Sequence, residues 1–422
     1  MKKLLNKKYK IGQIVSLFSA NLISIPIGII TSIFLTRTLG PINFGNYTFL
    51  LNVFLISVVI ANLGFFWASN RALVLTNDPD KAREYYGASL YFVLIIYLVI
   101  TIGLFFYSVI DQNLVEKKIQ GIFQILIPFS FVFLFTRYFE DLFQADNKID
   151  LLIKSRVFPK ILFLLIILIF YFFYKDIDLL TVWILFIGSQ ILVFAFIIHK
   201  LKVSFENFNI RVFEIRKFNK EYGFDLYIGS LFNKGFGYLT GILIGYFGES
   251  NMNVGFYSLA MSFSSPLSLI PNVIATTHYK DFSVQNRIYS KLIFLTVLLS
   301  LSALIMIWII VPLFVNNFYG LEYSPVIKLN IILSIAYAFQ GFGDFFNRYL
   351  GANGQGKSLR NSSIIVGASL FIVSIILIPY LGVTGAAYSQ IIGSFIYFSV
   401  IFFYYKVFIN TNKADENFNL IK

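Results

Sequence analysis

Few side chains in this sequence could do chemistry, and most of them sit in apolar surroundings. Lys234 lies near the middle of the apolar stretch 224–247, with no acidic residue three or four positions away. A charge held in lipid costs a few kcal/mol unless it faces protein or water. Lys234 therefore has two readings. It neutralises an acid on another helix, with Glu140 and Asp344 as candidates, or it presents its charge to a hydrated cavity. Arg137, Glu140 and Asp141 cluster in the stretch 119–142, and Asp344 and Arg348 lie four apart near the end of 324–347. Residues four apart share a helix face and can neutralise each other. These pairs read either as structural stitches near helix ends or as a gate whose members exchange partners.

Other chemistries are poorly supplied. There is no cysteine, so thiolate chemistry and disulfides are absent, and the two histidines, His199 and His278, are far apart in sequence. One histidine per site is a poor start for a metal centre, and the sequence offers no catalytic, metal or cofactor site. The run Gly351-Ala352-Asn353-Gly354-Gln355-Gly356-Lys357-Ser358 fits a phosphate-loop pattern. That chemistry needs a strand before the loop and a helix after it. Here an apolar helix precedes it, so the run reads as a flexible turn.

The elements that must position these residues follow from composition. Of 422 residues 58% are hydrophobic and only 13% charged, and the mean hydropathy is +0.76. That is too little polar surface for a water-facing chain. The apolar runs are continuous rather than alternating, which points to membrane-spanning helices rather than a barrel. At about 20 residues per span, twelve stretches qualify: 11–36, 44–66, 86–110, 119–142, 157–174, 179–199, 224–247, 252–276, 291–314, 324–347, 361–380 and 383–406. They are called spans one to twelve below. With both termini on the cytoplasmic side, 27 of the 34 basic residues fall in inside segments. The outside segments hold Arg37, Lys117, Lys118 and Lys175. This asymmetry supports the span count. It also accounts for the net charge of +13 through topology and anionic lipid headgroups, with no need for nucleic acid.

Span seven carries Gly237, Gly241 and Gly245 at four-residue spacing. This suits close helix packing and also a helix that bends. Span one contains Pro26 among Gln13, Ser16, Ser19, Asn21 and Ser24. Span eight contains Pro266 and Pro271 among Ser262, Ser264, Ser265 and Ser268. Proline frees a backbone carbonyl and serines can satisfy freed groups, so both spans read as bent and cavity-lining. The 50 Phe and 26 Tyr read mostly as lipid-facing bulk and interfacial belt.

The sequence also repeats weakly. Gly45-Asn46-Tyr47 recurs as Gly255-Phe256-Tyr257 at an offset of 210, and Ala145-Asp146-Asn147 matches Ala352-Asn353-Gly354 at 207. Six spans per copy give both halves the same orientation. The expected fold is an all-α integral membrane protein with twelve transmembrane helices in two pseudo-symmetric six-helix lobes, 1–210 and 211–422, and a cavity between them. At the 207 offset Arg137 maps to Asp344 and Asp141 to Arg348, the same pair with signs reversed.

Four segments carry a resemblance. Thr36-Arg37-Thr38-Leu39-Gly40-Pro41 with Phe44-Gly45 and Tyr47 resembles the first hairpin of Wzx-type O-antigen and polysaccharide flippases. Leu63-Gly64 to Arg71 is similar to that family's exit from span two, Gly255-Phe256-Tyr257-Ser258 to its eighth span, and Pro379 to Ala387 to its last turn. The resemblance covers nearly the whole chain. It implies the multidrug/oligosaccharidyl-lipid/polysaccharide exporter superfamily (the MATE-like fold), alternating access, and an oligosaccharide on undecaprenyl diphosphate as substrate. In that setting Lys234 and Arg71 become candidates for the diphosphate, an arginine fork suiting phosphate oxygens. The alternative for Arg71 is an ordinary positive-inside residue. Arg37 fits the family's first hairpin, as a release-side or capping residue. The implied location is the bacterial cytoplasmic membrane. The implied partners are membrane lipids and the glycosyltransferases and polymerase of the same pathway. The protein is expected to act as a monomer, as a transporter rather than an enzyme, with energy from a proton or sodium gradient or from product removal. A cation-coupled multidrug exporter is the rival within transport, but it would favour acidic cavity residues over Lys234. A membrane polymerase would need a large external loop, and an acyltransferase a central histidine.

Overall fold

The computed structural model describes the backbone of residues 2–76, 78–174, 177–231 and 235–420, and side chains from 23 to 411 among these. Every regular element among the described residues is helical. Helices are the form in which a lone apolar segment satisfies its own backbone in lipid. The chain packs as two compact units, Met1–Leu231 and Phe232–Lys422. Residues 211–231, grouped with the second lobe on sequence grounds, thus pack in the first unit, and the division falls inside span seven.

In the first unit one helix, Lys2–Ala61, carries spans one and two and is broken once, at Gly40 (φ 67°, ψ 174°). A side chain would resist that left-handed φ, and Pro41 then fixes the φ of the residue that resumes the helix. Span two ends at Ala61, five residues before the sequence boundary. Leu63 and Gly64 both have positive φ there, and the side chain of Asn62 accepts from the Phe66 amide at 3.3 Å to start the short helix Phe65–Val74. Span three is Pro79–Ile110, capped by Asp78. Span four is Gln120–Phe129 followed by Phe131–Ala145, bent by 44°. Pro128 lies at that bend, where it lacks the amide an α-helix needs. Spans five and six are Ile149–Phe173 and Leu179–Leu201.

Span seven appears as Phe224–Ser230 in the first unit and Phe236–Phe247 in the second. Span eight is interrupted into Met252–Ser264 and Pro266–Thr277. Spans nine and ten are Ser290–Phe314 and Pro325–Ala352. One helix, Gly356–Leu420, carries spans eleven and twelve and breaks at Gly382 (φ 57°, ψ −136°). Among the described residues eight helices are long and apolar enough to cross a membrane, and nine if the bent pair counts as one span. Dividing the two glycine-broken helices and adding the short apolar Phe236–Phe247 gives the twelve expected from sequence. The protein is a multi-pass membrane protein.

Exposure tracks composition. Only 11% of the most apolar window of Ser290–Tyr319 is buried, against 50% for Leu321–Ala352, so span nine is largely exposed and span ten is much more closely packed. Aromatic residues also fill the interior. Trp183, Tyr86, Tyr138, Tyr349, Phe54 and Phe139 are among the largest fully buried side chains. Lipid tails are as apolar as leucine, so close packing rather than water exclusion holds membrane helices together, and large rings fill that role. Phe54 stacks on Phe133 at 5.0 Å, and Trp183 meets Tyr47 at 4.9 Å.

The internal repeat is visible in the backbone. Asp146 N donates to Leu142 O, Lys148 N to Phe143 O, and Leu152 N to Lys148 O. At an offset of 207 the same three bonds recur as Asn353 N to Tyr349 O, Gln355 N to Leu350 O, and Leu359 N to Gln355 O. The residue at the crest has positive φ in both copies, Asn147 (53°) and Gly354 (72°).

Candidate functional site

Charged side chains concentrate where span three starts, span four ends and span five starts. The connector after span six lies against this end of the first unit. Lys202 and Asn207 take positive φ, turning the chain into the helix Phe208–Phe218 and a π turn, Asn219–Gly223. Arg211 holds it there. Its Nε donates to Glu84 at 2.6 Å and its Nη1 to Glu214 at 2.7 Å. Tyr85 Oη donates to Glu214 at 2.6 Å, and Asn207 Nδ2 to Glu84 at 3.1 Å. Burial pushes the Glu214 carboxyl up, but the bonds from Tyr85 and Arg211 outweigh it and leave its pKa below the ordinary value. Further along, Asn219 Nδ2 donates to Leu63 O at 3.2 Å and Tyr227 Oη to Ile60 O at 2.7 Å. Gly64 and Gly223 meet so closely that a methyl on either would overlap the other's backbone. Arg71 is exposed beside this seam, with its guanidinium 5.7 Å from the centre of the Tyr222 ring.

The second network is the one expected on span four. Arg137 Nε pairs with Asp141 at 2.9 Å and its Nη1 lies 3.7 Å from Glu140. Arg156 from span five pairs with Glu140 at 3.1 Å. Asn70, from the short helix after span two, donates to the Asp141 backbone carbonyl at 2.7 Å. The side chains of Arg137 and Asp141 are only 19% and 7% exposed, so neither charge is left to solvent.

The corresponding pair in the second unit does not form. Asp344 accepts from Tyr397 Oη at 2.9 Å, and Arg348 Nε donates to Asn272 at 3.3 Å. Asp344 and Arg348 make no ion pair with each other among the described residues. Packing is close at Gly343, where a methyl would overlap the Tyr397 ring. Spans ten and twelve come close enough there to give Asp344 a hydroxyl partner, while Arg348 is exposed.

The other sequence candidates are spread out. Lys234 lies outside the described residues. Leu231 and Gly235, the nearest described residues before and after it, have π-helical geometry. Gly241 and Gly245 are buried in Phe236–Phe247, whereas Gly237 is exposed with open space around it. The inward pair has the placement that close packing requires. Pro266 begins the second half of span eight. Just before it, Ser264 donates to Ala260 O at 2.8 Å and accepts from Asn330 Nδ2 at 2.8 Å, linking spans eight and ten. Pro26 is exposed within the part of Lys2–Ala61 that precedes the Gly40 break, and Arg37 is exposed one turn before that break. The phosphate-loop run 351–358 follows a helix, and its turn amides at Asn353, Gly354, Gln355 and Gly356 all donate to protein carbonyls. A phosphate cradle needs those amides. Spacing revealed the Arg137 pair but not Glu84, Tyr85, Arg211 or Tyr397, whose partners come from distant parts of the chain. The only local hint was the three-residue spacing of Arg211 and Glu214.

Buried, mutually satisfied charges of this kind fix helices at defined angles and leave exposed arginines and lysines at the rim. The chain shares its fold with solved transporters. An inward-facing multidrug resistance transporter of the MATE family, of the MOP superfamily, aligns at 16% identity over 95% of this chain and 99% of that one, with a TM-score of 0.65. The lipid II flippase MurJ in an inward closed conformation aligns at 15% identity over 93% and 87%, with a TM-score of 0.69. An outward-facing multidrug resistance transporter of the MATE family aligns at 15% identity over 94% and 96%, with a TM-score of 0.57. No curated protein matches the chain in sequence. Residues 12–279, well over half the chain, match the family described as polysaccharide biosynthesis protein, and the chain belongs to that family.

Proposed function

We propose that the protein moves an oligosaccharide carried on undecaprenyl diphosphate from the cytoplasmic to the outer face of the bacterial cytoplasmic membrane, by alternating access of two six-span lobes. The observation that carries this reading is the family match over residues 12–279 on a chain that adopts a transporter fold. In this reading Lys234, a mid-span cation by sequence, and Arg71, exposed beside Tyr222, meet the diphosphate. Arg37 serves the release side. The sugars occupy hydrated space and the polyprenyl tail stays in lipid. The termini are cytoplasmic, no covalent step is needed, and a proton or sodium gradient or removal of product supplies direction.

The test uses the full chain in proteoliposomes carrying undecaprenyl-diphosphate oligosaccharide on one face, with arrival at the other face read by a membrane-impermeant glycosidase. Wild-type protein should transfer the lipid. Lys234→Ala should stop transfer at normal membrane abundance, and Lys234→Arg should keep part of it. Recovery of transfer on adding Glu140→Gln or Asp344→Asn to Lys234→Ala would make Lys234 a charge partner rather than a ligand. Efflux of cationic dyes in place of lipid transfer would favour the multidrug-exporter reading, which the shared fold also accommodates.

A further inference from the structure

Two concavities lie along one face of span three, one cationic and one apolar. The first, about 490 Å³, is lined by Asp78, Arg83, Asp146, Lys148, Lys200 and Lys202 among others. Its carboxylates are already engaged. Asp78 caps the helix by accepting from Asp80 N at 3.0 Å, and Asp146 accepts from Lys148 at 2.7 Å and Tyr86 Oη at 2.8 Å. Arg83 reaches the exposed Asp80 at 2.7 Å. Lys200 and Lys202 are exposed and in no ion pair among the described residues, and the Lys200 ammonium lies 5.2 Å from the centre of the Phe196 ring. The pocket therefore carries uncompensated positive charge.

The second concavity, about 470 Å³, is lined by Leu90, Tyr91, Leu94, Phe205 and Phe208. Pro79, Arg83, Leu90 and Leu94 follow one another at spacings of four, seven and four, which places them on one helix face. The connector crosses that face between the two hollows, where Ser204 N donates to Arg83 O at 3.2 Å and the Ser204 backbone presses on Gly87. Arg83 and Leu90 are separated by about 10 Å along the axis. A cationic pocket at the end of a span, with an apolar groove about 10 Å deeper on the same face, has the polarity of an amphiphile with an anionic head.

We infer that this face of the first unit is a binding site for an anionic glycerophospholipid of the bilayer, its headgroup phosphate between Arg83, Lys200 and Lys202 and one acyl chain passing over the connector at Ser204 to lie along Leu90, Leu94 and Phe205. The site is independent of which cargo the lobes move.

The test is native mass spectrometry of the full chain titrated with phosphatidylglycerol or phosphatidylcholine, repeated with excess inorganic phosphate. Wild-type protein should retain phosphatidylglycerol in preference to phosphatidylcholine, and inorganic phosphate should not displace it. The double substitution Lys200→Gln with Lys202→Gln should weaken retention about 25-fold, at the usual worth of two basic residues near a lipid surface. The double arginine substitution should hold it. Equal retention of both lipids would overturn the inference. So would displacement by inorganic phosphate, which would mark a site for soluble anions. Loss in the arginine variant equal to that in the glutamine variant would also overturn it, because charge would not be the determinant. Recovery of a diphosphate-bearing polyprenol in place of phospholipid would overturn it too, and put the pocket on the substrate path.

Discussion

The ends of spans four and ten are two copies of one backbone with two different charge arrangements. Three backbone hydrogen bonds and a positive-φ crest recur at an offset of 207. Yet Arg137 and Asp141 pair at 2.9 Å, whereas Asp344 and Arg348 each turn to other partners. The turn is built from bonds within about ten residues, so any sequence that tolerates positive φ at its crest can form it. The side chains answer to what packs beside them. Asn70 and Arg156 approach in the first unit, and Tyr397 and Asn272 in the second. The same comparison disposes of the phosphate-loop pattern at 351–358. Its counterpart at 144–151, Gln144 to Leu151, makes the same turn with no such pattern.

Substitutions should separate the two ends by size of effect. Arg137→Ala leaves Asp141, 7% exposed, without its cation inside a spanning helix. We expect a loss of about 3–5 kcal/mol, measured as unfolding of the purified protein and as membrane abundance, with much of it recovered on adding Asp141→Asn. If Arg137→Ala were as stable as wild type, the distinction between the two ends would fail. Tyr397→Phe removes the hydroxyl that serves Asp344 and should cost about 1–2 kcal/mol while leaving span four untouched. Arg348→Ala loses one long bond on an exposed side chain and should fall within about 0.5 kcal/mol of wild type. A larger loss would mean that Arg348 carries charge for Asp344 after all. Lys357→Ala should change neither stability nor transport, and nucleotide binding lost in that variant would revive the phosphate-loop reading.

The connector clamp adds a pH test on the first unit alone. The Glu214 carboxyl is held below its ordinary value of 4.5, so folding favours its ionised form. The stability it contributes is fully present above that ordinary value and is lost as pH falls through the lower folded value. Wild-type protein should therefore lose stability on acidification more steeply than Glu214→Gln, read by thermal unfolding across the acid range. Parallel curves would show that Glu214 carries none of the acid sensitivity.

Much of the fold was legible because membrane insertion is decided along one dimension. A run of about 20 apolar residues must cross as a helix, whatever its neighbours do. The span count, the helical class and the repeat thus follow from the sequence alone, as does the Arg137–Asp141 pair, which is fixed by helix geometry. Three matters needed the tertiary structure. The first is where the units divide. Apolarity runs on through 224–247 and carries no mark of a boundary, while the packing groups Phe224–Ser230 with the first unit. The second is the clamp joining Arg211 to Glu84, partners 127 residues apart, which exists only because the connector folds back on span three. The third is the partner of Asp344, the Tyr397 hydroxyl, whose ring packs against Gly343 where a β-carbon would otherwise sit. Hydropathy and spacing specify which segments become helices. Which charges then meet depends on the angle and depth at which those helices pack, and close packing fixes these only when the chain is assembled.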